Sequence, residues 1–99
     1  MHVIAKKALI DFYEKQTTAR DPRLVWHRLA LKCDAENLAD LKKTFAIVDY
    51  VPPNFYVFDV GGNKYRVIAT VHFDRQKMFN RHVLTHSEYD DWSRKNRRK

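Results

Sequence analysis

FYVFDV at residues 55–60, GGN at 61–63 and KYRVIATVHF at 64–73 decide how this chain folds. Two strand-like runs meet at a turn whose glycines and asparagine tolerate positive φ. No helix follows the second run, so the segment reads as a β-hairpin and not as a phosphate-cradling loop. In the second run Tyr65, Val67, Ala69, Val71 and Phe73 alternate with Arg66, Ile68, Thr70 and His72. A period of two marks a strand with one apolar and one largely polar face. Arg66 and His72 therefore share the face turned away from the core residues.

Working outward toward the N-terminus, residues 46–51 read as extended, and Pro52, Pro53 and Asn54 break them before the hairpin partner begins at Phe55. Asn37 is suited to cap a short helix that buries Leu38, Leu41 and Phe45. Asp21 followed by Pro22 reads as an N-cap with proline at the first helical position, opening a helix to about Lys32. Val25, Trp26, Leu29 and Cys33 are its expected buried side. An earlier helix is expected over residues 6–16, with Leu9, Phe12 and Tyr13 on one face, after a short strand at 1–4. In the other direction, Thr85-His86-Ser87-Glu88 fits a capping box, in which the threonine hydroxyl serves the Glu88 amide and the carboxylate reaches back. Glu88 is thereby structural. His86 becomes the first residue of the last helix, and Tyr89, three further on, projects from the same side.

Ninety-nine residues, 44% apolar and 13% aromatic, suffice for one domain with a single modest core. A net charge of +7 favours a polyanionic partner, although Arg94, Lys95, Arg97, Arg98 and Lys99 concentrate much of it in the last six positions. The lone cysteine, Cys33, excludes an internal disulfide framework, and its expected burial suits packing better than nucleophilic chemistry. No apolar run approaches the roughly 20 residues of a membrane span, and no secretory leader pattern opens the chain, so a cytoplasmic protein is expected. His82 and His86 are four apart, but with residues 81–84 extended their Cα atoms lie on the order of 13 Å apart, too far to share one ion. No metal site is expected.

YVFDVGGNKYRV at 56–67 and THSEYD at 85–90, together with MHVI at 1–4 and KAL at 7–9, resemble the HigB branch of the RelE superfamily. These are the toxins of bacterial toxin–antitoxin pairs, in which YVFxVGGNxxRV and a closing THxEYD recur. The resemblance implies an α+β, RelE-like fold: a small twisted, mainly antiparallel sheet, N-terminal helices packed on one face, and a short C-terminal helix. Residues 1–93 would form the single toxin domain and 94–99 a flexible basic tail. The implied activity is that of an mRNA interferase, an endoribonuclease that needs neither metal nor cofactor and cleaves mRNA on translating ribosomes. The RNA 2′-OH attacks its own adjacent phosphorus, leaving a 2′,3′-cyclic phosphate and a free 5′-OH.

Arg66 matches the arginine of the family's central strand, and Tyr89 matches the tyrosine near the C-terminus. The arginine fork neutralises the charged transition state, His86 transfers a proton, and Tyr89 stacks on a base or hydrogen-bonds the sugar or phosphate. Lys64, His72, Arg75, Arg81, Arg94 and Lys95 are the expected RNA contacts. The better-known RelE members carry paired lysines on the strand before the glycine turn, where this chain has Val57 and Asp59. Asp59 would repel phosphate unless paired. The implied partners are mRNA, the ribosome and a cognate HigA-type helix-turn-helix antitoxin, with operator DNA reached only through the antitoxin complex. Two rival functions stand beside this one: a non-catalytic inhibitor on the same fold, as in the related ParE toxins, and a basic RNA-binding module held by phosphate contacts.

Overall fold

The computed structural model describes residues 1–5, 21–45, 47–61 and 65–97. The helix expected over residues 6–16, with Leu9, Phe12 and Tyr13, lies outside them, as do Gly62, Asn63 and Lys64 of the hairpin turn and Arg98 and Lys99 at the end. The described elements are β1 (His2–Ala5), α1 (Pro22–Lys32), α2 (Leu38–Thr44), β2 (Val48–Val51), β3 (Phe55–Val60), β4 (Tyr65–His72), β5 (Lys77–Thr85) and α3 (His86–Arg97). The five strands form one sheet in the order β1-β5-β4-β3-β2. β1 runs parallel to β5, and every other pairing is antiparallel. The fold is α+β.

Local chemistry explains where the helices start. Asp21 accepts a hydrogen bond from the Arg23 amide at 2.9 Å, and Pro22 occupies the first turn, where its missing N–H costs nothing. The Arg23 side chain bonds the same carboxylate and, with burial opposing, holds the Asp21 pKa below its ordinary value. Asn37 caps α2 by accepting from the Asp40 amide at 2.8 Å. At the start of α3 the capping box is complete: Glu88 Oε1 accepts from the Thr85 amide at 2.8 Å, and Thr85 Oγ1 from the Glu88 amide at 3.4 Å.

The principal core lies on one face of the sheet. Trp26, Ala30 and Cys33 of α1 and its C-cap, with Leu41 and Phe45 from α2, join Phe58, Val60, Val67, Ala69 and Met78 of the strands. Phe58 is its hub, with ring centroids 5.3 Å from Trp26 and 5.0 Å from Phe45. The buried stripe of α1 differs from the expected one: Val25 and Leu29 are each 42% exposed, while Leu24, Trp26 and Ala30 are buried. Trp26 and Ala30 stand four apart and Cys33 three beyond, so these three form the helix face that meets the sheet, while Leu24, buried as well, lies on the other side of the helix and outside that core. Val25 precedes that face by one position and Leu29 likewise, which turns both about 100° away from it.

The other face of the sheet also differs from expectation. β4 occupies the middle of five strands, and the face expected to be largely polar is covered along most of its length: Arg66, Ile68 and Thr70 are all buried, and only His72 at the strand's end is exposed. A second, smaller core of Val51, Val57 and Ile68 forms here, with Phe55, Leu84, Tyr89 and Trp92 packed against it. α3 supplies the last two. Arg94 and Lys95 lie on this helix, which continues through Arg97, so no change of secondary structure marks the expected boundary at residue 93. Among the described residues, no helix is long and apolar enough to cross a membrane.

Candidate active site

The hairpin register sets the site. Asp59 on β3 stands directly opposite Arg66 on β4, and Leu84 on β5 stands opposite Arg66 from the other side. Cross-strand partners project to the same face, so carboxylate and guanidinium meet: Arg66 Nε lies 2.6 Å from Asp59 Oδ1. Asp59, whose charge looked adverse to phosphate, is thus paired. From above, α3 brings Tyr89, whose ring centroid lies 5.3 Å from the Arg66 guanidinium carbon. Trp92, one turn further along, stacks on Tyr89 at 5.9 Å and meets Phe55 edge-on at 5.4 Å. A continuous chain of contacts therefore runs from Phe55 through Trp92 and Tyr89 to Arg66 and Asp59. It fixes the guanidinium plane while leaving Arg66 only 8% exposed.

Of the three residues expected to carry chemistry, Arg66 and Tyr89 come together. His86 sits at the first position of α3, its side chain 60% exposed, with Nε2 3.8 Å from Asp90 Oδ2 one turn later. Glu88 serves the cap, and the hydrogen bonds from Thr85 keep its pKa below the ordinary value.

The expected RNA contacts divide into groups. His72 and Arg81 gather around Phe79: the His72 ring meets it edge-on at 5.2 Å, and the Arg81 guanidinium carbon lies 5.6 Å from its centroid. Arg81 is the extra residue of an irregularity in the β4–β5 ladder, where Ile68 faces His82 but Ala69 faces Asn80. Six residues of strand separate His72 from Arg66, or roughly 20 Å. Arg75 is exposed in the turn before β5. Arg94 and Lys95 are exposed on α3, where Arg94 pairs with Asp91. Lys64 lies outside the described residues. Among those that are described, no three His, Cys, Asp or Glu side chains stand close enough to share a metal ion.

Sequence reasoning missed Asp59 as the anchor of Arg66, and Trp92 and Phe55 as the support for Tyr89. A signal for the first existed. Four residues, 61–64, separate the paired Val60 and Tyr65, and that loop length puts Asp59 opposite Arg66. The three-residue turn read from Gly61-Gly62-Asn63 would have put it opposite Tyr65.

Comparison with known proteins bears on this arrangement. Residues 19–92 match the family model described as HigB toxin, RelE-like toxic component of a toxin-antitoxin system. The chain is 39% identical over 93 residues to the mRNA interferase toxin HigB of Escherichia coli strain K12, an alignment covering 91% of this chain and 88% of that protein. It is 29% identical over 96 residues to the mRNA interferase HigB of Escherichia coli O6:H1, covering 95% and 93%.

Proposed function

The chain belongs to the HigB family of RelE-like toxins, and from that premise we propose that it is the toxin of a type II toxin–antitoxin system, a metal-independent endoribonuclease that cleaves mRNA on translating ribosomes. Arg66 supports this above all. An arginine fork clamped at Nε by Asp59 and faced by an aromatic ring is a preorganised donor to phosphate oxygens.

In the proposed reaction the 2′-oxygen forms a bond to the adjacent phosphorus as the bond from phosphorus to the 5′-oxygen breaks. One proton leaves the 2′-OH and one reaches the departing 5′-oxygen. Arg66, its guanidinium set by Asp59 at Nε and by the Tyr65 carbonyl at Nη1, neutralises the phosphorane charge. His86, exposed at the rim and steadied by Asp90, transfers a proton. Tyr89 gives up its contact with the guanidinium to stack on or hydrogen-bond the incoming nucleotide. Lys64, His72, Arg75, Arg81, Arg94 and Lys95 hold the RNA and ribosome by their charge. The protein acts in the cytoplasm, where it is neutralised by a HigA-type helix-turn-helix antitoxin and reaches operator DNA only in that complex.

Incubation with translating ribosomes, followed by mapping of new 5′-OH ends, tests the proposal. Codon-spaced 5′-OH ends that vanish with Arg66→Ala are expected. Stalled translation on intact message would instead favour an inhibitor acting by protein contacts, and RNA binding with neither effect a plain binding module.

A further inference from the structure

Phe79 is a large aromatic side chain that packing does not explain. It is half-buried on β5 and belongs neither to the principal core nor to the smaller one beneath α3. The register puts it on the face that carries Arg66. Phe79 stands opposite Thr70 just as Leu84 stands opposite Arg66, and Thr70 and Arg66 lie an even number of residues apart on β4. Four residues of strand separate that pair, so the ring sits roughly 13 Å along the sheet from Arg66. Ile4 of β1 flanks it on the other side.

Basic side chains surround the ring. The Arg81 guanidinium carbon lies 5.6 Å from its centroid, His72 meets it edge-on at 5.2 Å, and Lys77 faces His72 across the ladder. All three are exposed, and none forms an ion pair among the described residues. Between this group and Arg66 lies His82, exposed and opposite Ile68. One strip of the sheet face thus carries an aromatic ring at each end, Tyr89 and Phe79, with basic groups along it. A surface that docks another protein would set such a ring among apolar neighbours. Rings interleaved with cations are what a single strand of nucleic acid needs, because bases stack on the rings while phosphates follow the charge.

We propose that Phe79 is a stacking subsite for a base of the message that lies beyond the cleaved bond, with Arg81 and Lys77 holding the phosphates beside that base. The proposal rests on the mRNA-cleavage reading above and adds to it a base contact remote from the chemistry. A π-face accepts every base, so the subsite grips the RNA without reading its sequence. Its effect is positional. A base held at Phe79 fixes how the strand lies along the strip, and so which phosphate meets Arg66.

The test uses the full chain and ribosomes loaded with synthetic messages that carry one abasic nucleotide at each position around the cleaved bond in turn. Wild type is compared with Phe79→Leu, which keeps an apolar side chain but no π-face, and with Phe79→Trp, and circular dichroism checks each fold. For wild type, kcat/KM should fall about tenfold, through KM, when the nucleotide at one position beyond the cleaved bond is abasic. Phe79→Leu should lose the same factor on intact message and nothing further when that nucleotide is abasic, while Phe79→Trp behaves as wild type. A wild-type KM in folded Phe79→Leu overturns the proposal. So does a defect that adds in full to every abasic substitution, which would make the ring structural, or one that appears equally in binding to ribosomes without message, which would put ribosomal RNA on it. If wild type cleaves nothing, the enzymatic reading fails, and affinity for the same loaded ribosomes decides the subsite by the same comparison.

Discussion

The two faces of β4 are made by alternate residues of one strand, yet they do different work. Val67 and Ala69 enter the principal core, where they meet apolar partners and contribute by burial alone. Arg66, Ile68 and Thr70 enter the smaller core beneath α3, where an ion pair and two aromatic rings of one helix lie over apolar strand residues. A core without charge tolerates approximate filling, at a cost in stability. A core that buries a guanidinium has to keep it paired, hydrogen-bonded and aimed, and that constraint gives the second face its chemistry.

The largest expected effect therefore belongs to the first face and should leave chemistry alone. Phe58→Ala, at the hub of the Trp26–Phe45–Phe58 cluster, should cost about 3–5 kcal/mol in urea unfolding. Whatever fraction remains folded should cleave mRNA at the wild-type rate per molecule. A specific activity that falls as steeply as stability would erase the distinction between the faces.

Arg66→Ala reverses the pattern. Cleavage should fall on the order of a hundredfold or more, and Arg66→Lys should restore only part, because a point charge does not reproduce the fork. The sequence alone leads one to expect normal stability in the alanine variant. The ion pair changes that: Asp59 would be left without its guanidinium in a largely covered position, at a cost of about 1–3 kcal/mol. Asp59→Asn combined with Arg66→Ala should recover stability but no activity, and measuring both in one double-mutant cycle separates the two roles.

Trp92→Ala sharpens the comparison at smaller scale. The side chain is only half-buried, so about 2 kcal/mol is expected, felt locally as faster amide exchange across α3. Cleavage should drop about tenfold as Tyr89 loses its stacking partner, a modest disturbance of positioning. Exchange rates unchanged from wild type would mean that α3 is held by something other than its aromatic pair.

The smallest effect lies at the cap of α3. Thr85→Ala should cost about 1 kcal/mol. The Glu88 carboxyl titrates below its ordinary value of 4.5 because Thr85 donates to the ionised form. Its contribution is accordingly full above that value and is lost as pH falls below it and the carboxylate protonates. Glu88→Gln should flatten this acid limb of stability without abolishing cleavage, whereas His86→Gln should lower the rate and flatten one limb of the pH–rate profile.

What the sequence determined by itself is whatever depends on near neighbours. Asp21-Pro22, Asn37 and the Thr85–Glu88 box each fix a helix start through hydrogen bonds spanning two or three residues, and the structure agrees with all three. The period of two across residues 65–73 named the strand and put Arg66 and Ile68 on one face. The motifs at 56–67 and 85–90 pointed to the family. What only the tertiary structure decided depends on where elements lie relative to one another. Which stripe of α1 faces the sheet follows from its rotation, and that exposed Val25 and Leu29. Whether the second face of β4 is wet or buried follows from α3 lying across it, and Tyr89 and Trp92 sit too far along the chain from Val57 and Ile68 for any local pattern to register the contact. The partner of Arg66 follows from a register in which one residue of loop length moves Asp59 to the opposite face, because side chains alternate strictly along a strand.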